Sequence, residues 1–377
     1  MDVIGIIAEY NPFHNGHIYQ IQKIKEMYPS SLIIVILDNY FTQRGDISIL
    51  TKKDKVKLSL DYVDIVVELP TLYSTQSSDI FAYNAISILN NFHITKLCFG
   101  SESNNIDLLK KIASVQEDKE FSSKLKLELD KGLSYPNALK YLINIDFNYT
   151  SNDLLAISYI KAINKINKNI EPITIQRTND YNDTLSNETI ISATNIRNKF
   201  IKDEDVSKYT PSSNRLIKIN YDLYFNILKH KILTDHHLDE YIDVNEGIEN
   251  RLIKYVKESN TLEEFIEKVK TKRYSYNKIR RMLLHIVLGL RKEDNKIYNH
   301  LKVLGFTKKG QSYLKENNII IHEDTTIKNI ELNISKIYDL LTNLNTYDYE
   351  LKNIPIKKEW IKYHSFFIIL YIYFLTC

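Results

Sequence analysis

The feature that most constrains the fold is a strand-like run that ends in a histidine-bearing turn. Val3-Ile4-Gly5-Ile6-Ile7-Ala8 is short, apolar and rich in β-branched residues, which suits a strand buried on both faces. Glu9-Tyr10-Asn11-Pro12-Phe13-His14-Asn15-Gly16-His17 follows directly, and Ile18, Ile21, Ile24 and Met27 then recur at helical spacing up to Pro29. Gly16 lets the backbone approach a phosphate, and the helix N-terminus supplies free N–H groups and a positive dipole. His14 and His17 can both face that anion and donate to an α-phosphate as charge builds on it. A metal pair would want a further Cys, His or carboxylate at fitting spacing; none is adjacent, so no metal site is expected.

Further runs repeat the rhythm. Leu32 to Leu37, Ile65 to Leu69, Ile94 to Phe99 and Ile173 to Gln176 read as strands, with amphipathic helices over Lys52 to Tyr62, Asp79 to Asn90 and Leu154 to Ile166. Alternating strand and helix predicts an α/β fold with a doubly wound parallel sheet, its ligand outside the carboxyl ends of the strands. From about residue 205 long helical patterns rich in Lys, Leu, Ile and Tyr take over. Tyr209-Thr210-Pro211-Ser212-Ser213 marks the break, giving a nucleotide-binding domain over 1–208 and a mainly helical domain over 209–377.

The net charge of +3 is too small to imply a polyanionic partner by itself, and two distant cysteines, Cys98 and Cys377, fit a reducing compartment. The acidic start, Met1-Asp2, is unlike a secretory leader. Ser365 to Cys377 is apolar but, at 13 residues, shorter than the roughly 20 needed to span a bilayer as a helix. A cytoplasmic protein without membrane association is expected.

Two more constellations bear on chemistry. In Ile191-Ser192-Ala193-Thr194-Asn195-Ile196-Arg197, the two hydroxyls suit phosphate contact or helix capping, and Arg197 suits a departing β,γ-diphosphate. In Gln43-Arg44-Gly45-Asp46, Arg44 suits a carboxylate or phosphate, or an ion pair with Asp46. From Lys268 to Arg281, seven of 14 residues are Lys or Arg and none is acidic, with Tyr274 and Tyr276 interleaved. Basic groups neutralise phosphates and tyrosines stack on unpaired bases, so Lys270, Lys272, Arg273, Tyr274, Arg280 and Arg281 form a candidate RNA surface that Lys308 and Lys309 would extend.

Taken together, the histidine turn, Phe41 to Asp46, Asp64 to Pro70, Phe99-Gly100-Ser101-Glu102, Asn152 to Leu155, the Ser192 to Arg197 segment, Lys270 to Tyr274 and Leu304 to Gly310 resemble the bacterial tRNA(Met) cytidine acetate ligase family. The similarity runs over roughly residues 2–350; the histidine turn alone identifies only the wider nucleotidyltransferase superfamily. The resemblance implies an enzyme that activates acetate with ATP as acetyl-adenylate and acetylates N4 of the wobble cytidine of elongator tRNA(Met). It places ATP against Ile7, Ala8, Glu9, Tyr10, Asn11, Pro12, Phe13, His14, Asn15, Gly16, His17, Ile18, Tyr19 and Gln20, with Gly100, Asn152 and Arg177. His14, His17, Ser192, Thr194 and Arg197 would carry catalysis, Gln43 and Arg44 would contact acetate or phosphate, and ATP would arrive with Mg²⁺. Asp38-Asn39-Tyr40 departs from the family's small Ser-Gly-Asn run, and Tyr181-Asn182-Asp183 lacks an expected histidine. If the first run shapes the acetate pocket, its bulk and charge bear on which acyl group fits. A small-molecule adenylyltransferase would leave the basic helical half idle, and a non-catalytic RNA-binding factor would not need His14, Gly16, His17 and Arg197 intact.

Overall fold

The structure, a computed structural model, describes residues 1–118, 120–133, 135–143, 147, 150–177, 188–271 and 273–358. Lys272, Tyr181-Asn182-Asp183 and the tail Ser365 to Cys377 lie outside the described residues.

Seven strands form one sheet in the order β5-β4-β1-β2-β3-β6-β7. They are β1 (Val3–Ala8), β2 (Leu32–Asp38), β3 (Ile65–Leu69), β4 (Lys96–Ser101), β5 (Glu171–Gln176), β6 (Val303–Thr307) and β7 (Ile356–Lys358). The first five are parallel, as the alternation predicts, and β6 runs antiparallel to β3. Successive side chains point to opposite faces, so Ile34 and Ile36 pack on one side of β2 while Ile33, Val35 and Leu37 pack on the other. Helices cover both faces. Ser78–Asn90 and Ser151–Ile166 pack together over the first, and Asn15–Met27 and Lys52–Ser59 lie over the second. This double cover explains why the strand sequences read as unbroken apolar runs.

The later half is mainly helical, but not wholly separate from the sheet. Tyr221–Thr234, Ile248–Val256, Leu262–Val269 and Tyr276–Leu288 share a core around Phe225, Leu252, Phe265 and Leu283. The chain then returns to lay β6 and β7 against the edge at β3, and Thr325–Thr342 packs across both halves.

A buried ionic cluster seals that return. Lys52 pairs with Glu68 and, at 2.8 Å, with Glu350; His300 contacts Glu68 at 2.8 Å, and the Tyr40 hydroxyl donates to Glu350 at 2.6 Å. Beside it, Asn39 donates to Glu331 at 2.7 Å, and Glu331 also accepts from the Thr71 N–H at 2.5 Å. Asp38 lies buried on Lys55 at 2.7 Å. Asn39 and Tyr40 therefore face the seam between halves, Asp38 is held by Lys55, and none of the three lines the cavity described next, so the condition that this run shapes the acyl pocket is not met there. Small residues would leave these buried partners unpaired, at a cost of roughly 3–5 kcal/mol per orphaned charge.

Candidate active site

A cavity of about 210 Å³ opens at the carboxyl ends of β1, β2, β4 and β5. Its central wall is the histidine turn. His14 is the N-cap of Asn15–Met27, and its Nδ1 accepts the Gly16 N–H at 3.0 Å. The Nδ1 of His17 accepts the His14 N–H at 3.2 Å. A Cβ on residue 16 would sit 2.7 Å from the His14 ring, so this back-bonded imidazole requires glycine there.

Because both Nδ1 atoms accept, each neutral ring carries its proton on Nε2. Burial, with the Arg177 and Arg197 charges adding to it, lowers the His14 pKa to about 3. Burial, His14 and Arg177 push His17 well below its ordinary value. Two neutral Nε2–H donors, their rings 3.9 Å apart, therefore stand in the cavity wall. Tyr10 and Phe13 fix the rings from below, at 4.6 and 5.7 Å from His17.

The Ser192 segment forms a second wall. Ser192 caps Ala193–Ile201, accepting the Asn195 N–H at 3.1 Å, and lines the cavity with Ala193. Arg197 reaches in from that helix, donating to the Asn11 carbonyl at 2.8 Å and the Thr194 hydroxyl at 3.2 Å. Thr194 thus steadies Arg197 and does not line the cavity itself.

Gly100, Asn152 and Arg177 come together at the ends of β4 and β5. Asn152 donates to Glu102 at 2.5 Å, and the Arg177 Nε lies 3.7 Å from the same oxygen. Ile7, Ala8, Glu9, Tyr10, Asn11 and Gln20 also line the cavity, while Gly16 and Tyr19 line a recess of about 60 Å³ beside it. Pro12, Phe13, Asn15 and Ile18 line neither space. Asn15 instead ties the turn to the later segment, donating to the Thr189 and Lys208 carbonyls at 2.9 and 3.0 Å. Phe13 is buried under the turn, and Ile18 packs on the core beneath the helix.

Gln43 and Arg44 line the opposite side. Asp46 departs from expectation, because its ion pair goes to Arg280, at 2.5 Å, with Arg197 at 3.6 Å. Gly45 has φ +78°, and a Cβ there would sit 2.9 Å from the Arg280 carbonyl carbon, so the turn rests against the second half's helix. Sequence reading missed the aromatic and apolar lining from Phe81, Phe99, Leu155 and Tyr159, whose helical or strand spacing looks like ordinary core.

The basic stretch is corrected in detail. Its acidic partners come from elsewhere in the chain: Lys270 meets Glu267 at 3.3 Å, and Arg273 lies 3.5 Å from Glu246 and 3.7 Å from Asp130. Tyr274 is 3 % exposed and donates to the Asn245 carbonyl at 2.6 Å, so it is not placed to stack on a base. Arg280 serves Asp46, and Arg281 is mostly buried near Asp243. Lys308 and Lys309 open a helix at the amino-end edge of the sheet. There Lys309 donates to the Ser31 carbonyl at 2.6 Å, so the pair does not extend this stretch, which abuts the carboxyl-end turn.

Comparison with known proteins accords with this geometry. The HIGH nucleotidyl transferase family model matches residues 1–355. A Clostridium tetani tRNA(Met) cytidine acetate ligase is 37% identical, over 95% of this chain and 100% of its own length. The Mycoplasma mobile tRNA(Met) cytidine acetate ligase is 39% identical over 77% and 99%. This chain belongs to the tRNA(Met) cytidine acetate ligase family. The crystal structure of Thermotoga maritima TmcAL bound with alpha-thio ATP superposes with a TM-score of 0.81 at 26% identity, covering 95% of this chain and 100% of that one. The apo form of the same protein gives 0.85. Among the described residues no helix is long and apolar enough to cross a membrane, and no group of three or more His, Cys, Asp or Glu is placed to hold a metal ion.

Proposed function

We propose that this protein is a cytoplasmic ligase that joins acetate to ATP as acetyl-adenylate and passes the acetyl group to N4 of the wobble cytidine of elongator tRNA(Met). The observation that carries this reading is the pair of neutral Nε2–H donors, His14 and His17, facing a cavity whose far wall holds Arg197. Acetate is itself the nucleophile. As its oxygen attacks the α-phosphorus, charge grows on the non-bridging oxygens, and preformed N–H donors stabilise it without reorganising. The bond to the β-phosphate breaks, and Arg197, held by Asn11 and Thr194, receives the departing diphosphate. Ser192 presents a helix N-terminus to the same anion. Gly100, Asn152 and Arg177 hold the nucleoside side, and Gln43 and Arg44 lie where the acetate carboxylate would be gripped.

Mg²⁺ would come with the ATP phosphates and neutralise the diphosphate as it leaves. The helical half would meet the tRNA through its more exposed cations, Lys270 and Arg273 among them. The relatives' names and the bound ATP analogue of the Thermotoga protein support the reading.

Exchange of labelled diphosphate into ATP tests the first step. Exchange that depends on acetate is expected. Exchange that ignores acetate would mean a different adenylyl acceptor, and none at all a chain that does not adenylate.

A further inference from the structure

Two carboxylates line the cavity, Glu9 and Asp46. Asp46 is committed to Arg280 at 2.5 Å and lies 3.6 Å from Arg197. Glu9 is differently placed. It follows the last residue of β1, and the chain then turns sharply at Tyr10, which takes φ +47°, a conformation bulky residues rarely adopt. The turn buries the Tyr10 ring against Phe13 and leaves Glu9 in the cavity wall. Its Oε1 accepts the Gln43 N–H at 2.7 Å. Among the described residues, Oε2 accepts no hydrogen bond and Glu9 forms no ion pair.

The charged and titratable groups facing Glu9 are Arg44 and Asp46 of the turn, Asp38 at the end of β2, Lys55 of Lys52–Ser59 and Tyr159 of Ser151–Ile166. Lys55 is occupied by Asp38 at 2.7 Å and the Asn39 carbonyl at 3.0 Å. Burial therefore dominates and raises the Glu9 pKa above its ordinary value, against the lowering pull of the Gln43 N–H and Arg44. A carboxylate of raised basicity, with an open oxygen, suits proton abstraction. Phe81, Phe99 and Tyr159, packed on one another and nearly fully buried, close the apolar side of the same cavity.

The second half-reaction needs a base. An exocyclic amine conjugated to a pyrimidine ring is a poor nucleophile, and its proton must leave as the nitrogen bonds to carbon. His14 and His17 cannot accept it, because their Nδ1 atoms are filled and their Nε2 atoms carry hydrogen. We propose that Glu9 is the general base of acetyl transfer. The inference rests on the ligase reading. In the step, the amine nitrogen attacks the acetyl carbonyl carbon, the C–N bond forms, and its proton passes to Glu9 Oε2. The acyl C–O bond then breaks, and AMP leaves with the electron pair.

The test supplies chemically synthesised acetyl-adenylate with tRNA(Met) to the full chain in single turnover, so that transfer is read apart from adenylation. Glu9→Gln is expected to slow transfer about 10²-fold, the usual contribution of a positioned base. The wild-type transfer rate should rise with pH to a plateau, and this limb should vanish in the variant. Transfer by Glu9→Gln at the wild-type rate, or a slowed transfer that keeps the wild-type pH limb, would overturn the assignment. Failure of the wild type to use acetyl-adenylate would instead overturn the ligase reading beneath it.

Discussion

The Asp46 carboxylate binds the Arg280 guanidinium at 2.5 Å, joining a turn of the nucleotide-binding half to a helix of the other. Its second oxygen lies 3.6 Å from Arg197, so one carboxylate steadies the arginine assigned to the leaving diphosphate and docks the basic helix. Burial alone would raise the Asp46 pKa, but Arg280 and Arg197 outweigh it and hold the carboxyl below its ordinary value. Asp46→Asn should lower the acetate-dependent exchange rate by about tenfold and destabilise the fold by roughly 1–3 kcal/mol, since the partly buried Arg280 loses its carboxylate and Arg197 a neighbouring one. Exchange kinetics and thermal melting read the two effects separately.

His17→Ala should lower diphosphate exchange by about 10²–10³-fold, the usual loss on removing a preorganised donor, with the melting temperature little changed. The same geometry sets a pH dependence. Both imidazole pKa values are depressed, by burial first, so the rings are neutral in the folded protein near neutral pH. Exchange should therefore show no histidine inflection between about pH 6 and 8. Because the unfolded chain binds protons here more tightly than the folded one, this pair should cost stability as pH falls below the ordinary histidine range.

The seam offers a variant that should gain stability. Burial, followed by the Glu68 charge, raises the Glu331 pKa to about 7. For a carboxyl raised in the folded state, stability is fully present at acid pH and lost as pH rises through the folded value. Glu331→Gln removes that loss and leaves an amide beside the otherwise unpartnered Asn39 Oδ1. Its melting temperature should exceed wild type, the gain widening from pH 5 to 8 and reaching about 1–3 kcal/mol. A gain independent of pH would place the effect elsewhere.

In the basic stretch, Tyr274 and Arg273 should separate. Tyr274→Phe removes a buried hydrogen bond and should cost about 1 kcal/mol of stability, with tRNA affinity unchanged. Arg273→Ala, at an exposed cation, should weaken tRNA binding and reduce its salt dependence by about one counterion.

Much of the first half was legible because its signals are local. Four buried strands and a partly exposed fifth announce themselves as β-branched runs, and the turn from Glu9 to His17 carries its helix start, glycine and imidazoles within nine residues. What stayed hidden depends on partners far along the chain. Val303–Thr307 is a five-residue strand inside a helical stretch, made one by pairing with β3, over 230 residues earlier, and with β7. The Lys268 to Arg281 run has no acid of its own, yet Asp46 and Asp243 fold onto its arginines. Tyr274 reads the same whether its ring faces solvent or Asn245, and the Asp38-Asn39-Tyr40 run gives no sign that Lys55, Glu331 and Glu350 await it. Phe81 and Tyr159 share helical spacing with core residues, so their place beside Glu9 emerges only when the two helices pack.

The most direct test of the central claim is mass spectrometry of elongator tRNA(Met) after incubation with this protein, ATP and acetate. Acetylcytidine at the wobble position, absent when ATP or acetate is withheld and absent with His17→Ala, is the predicted result. An unmodified wobble cytidine under conditions where the protein is folded and binds ATP would contradict it.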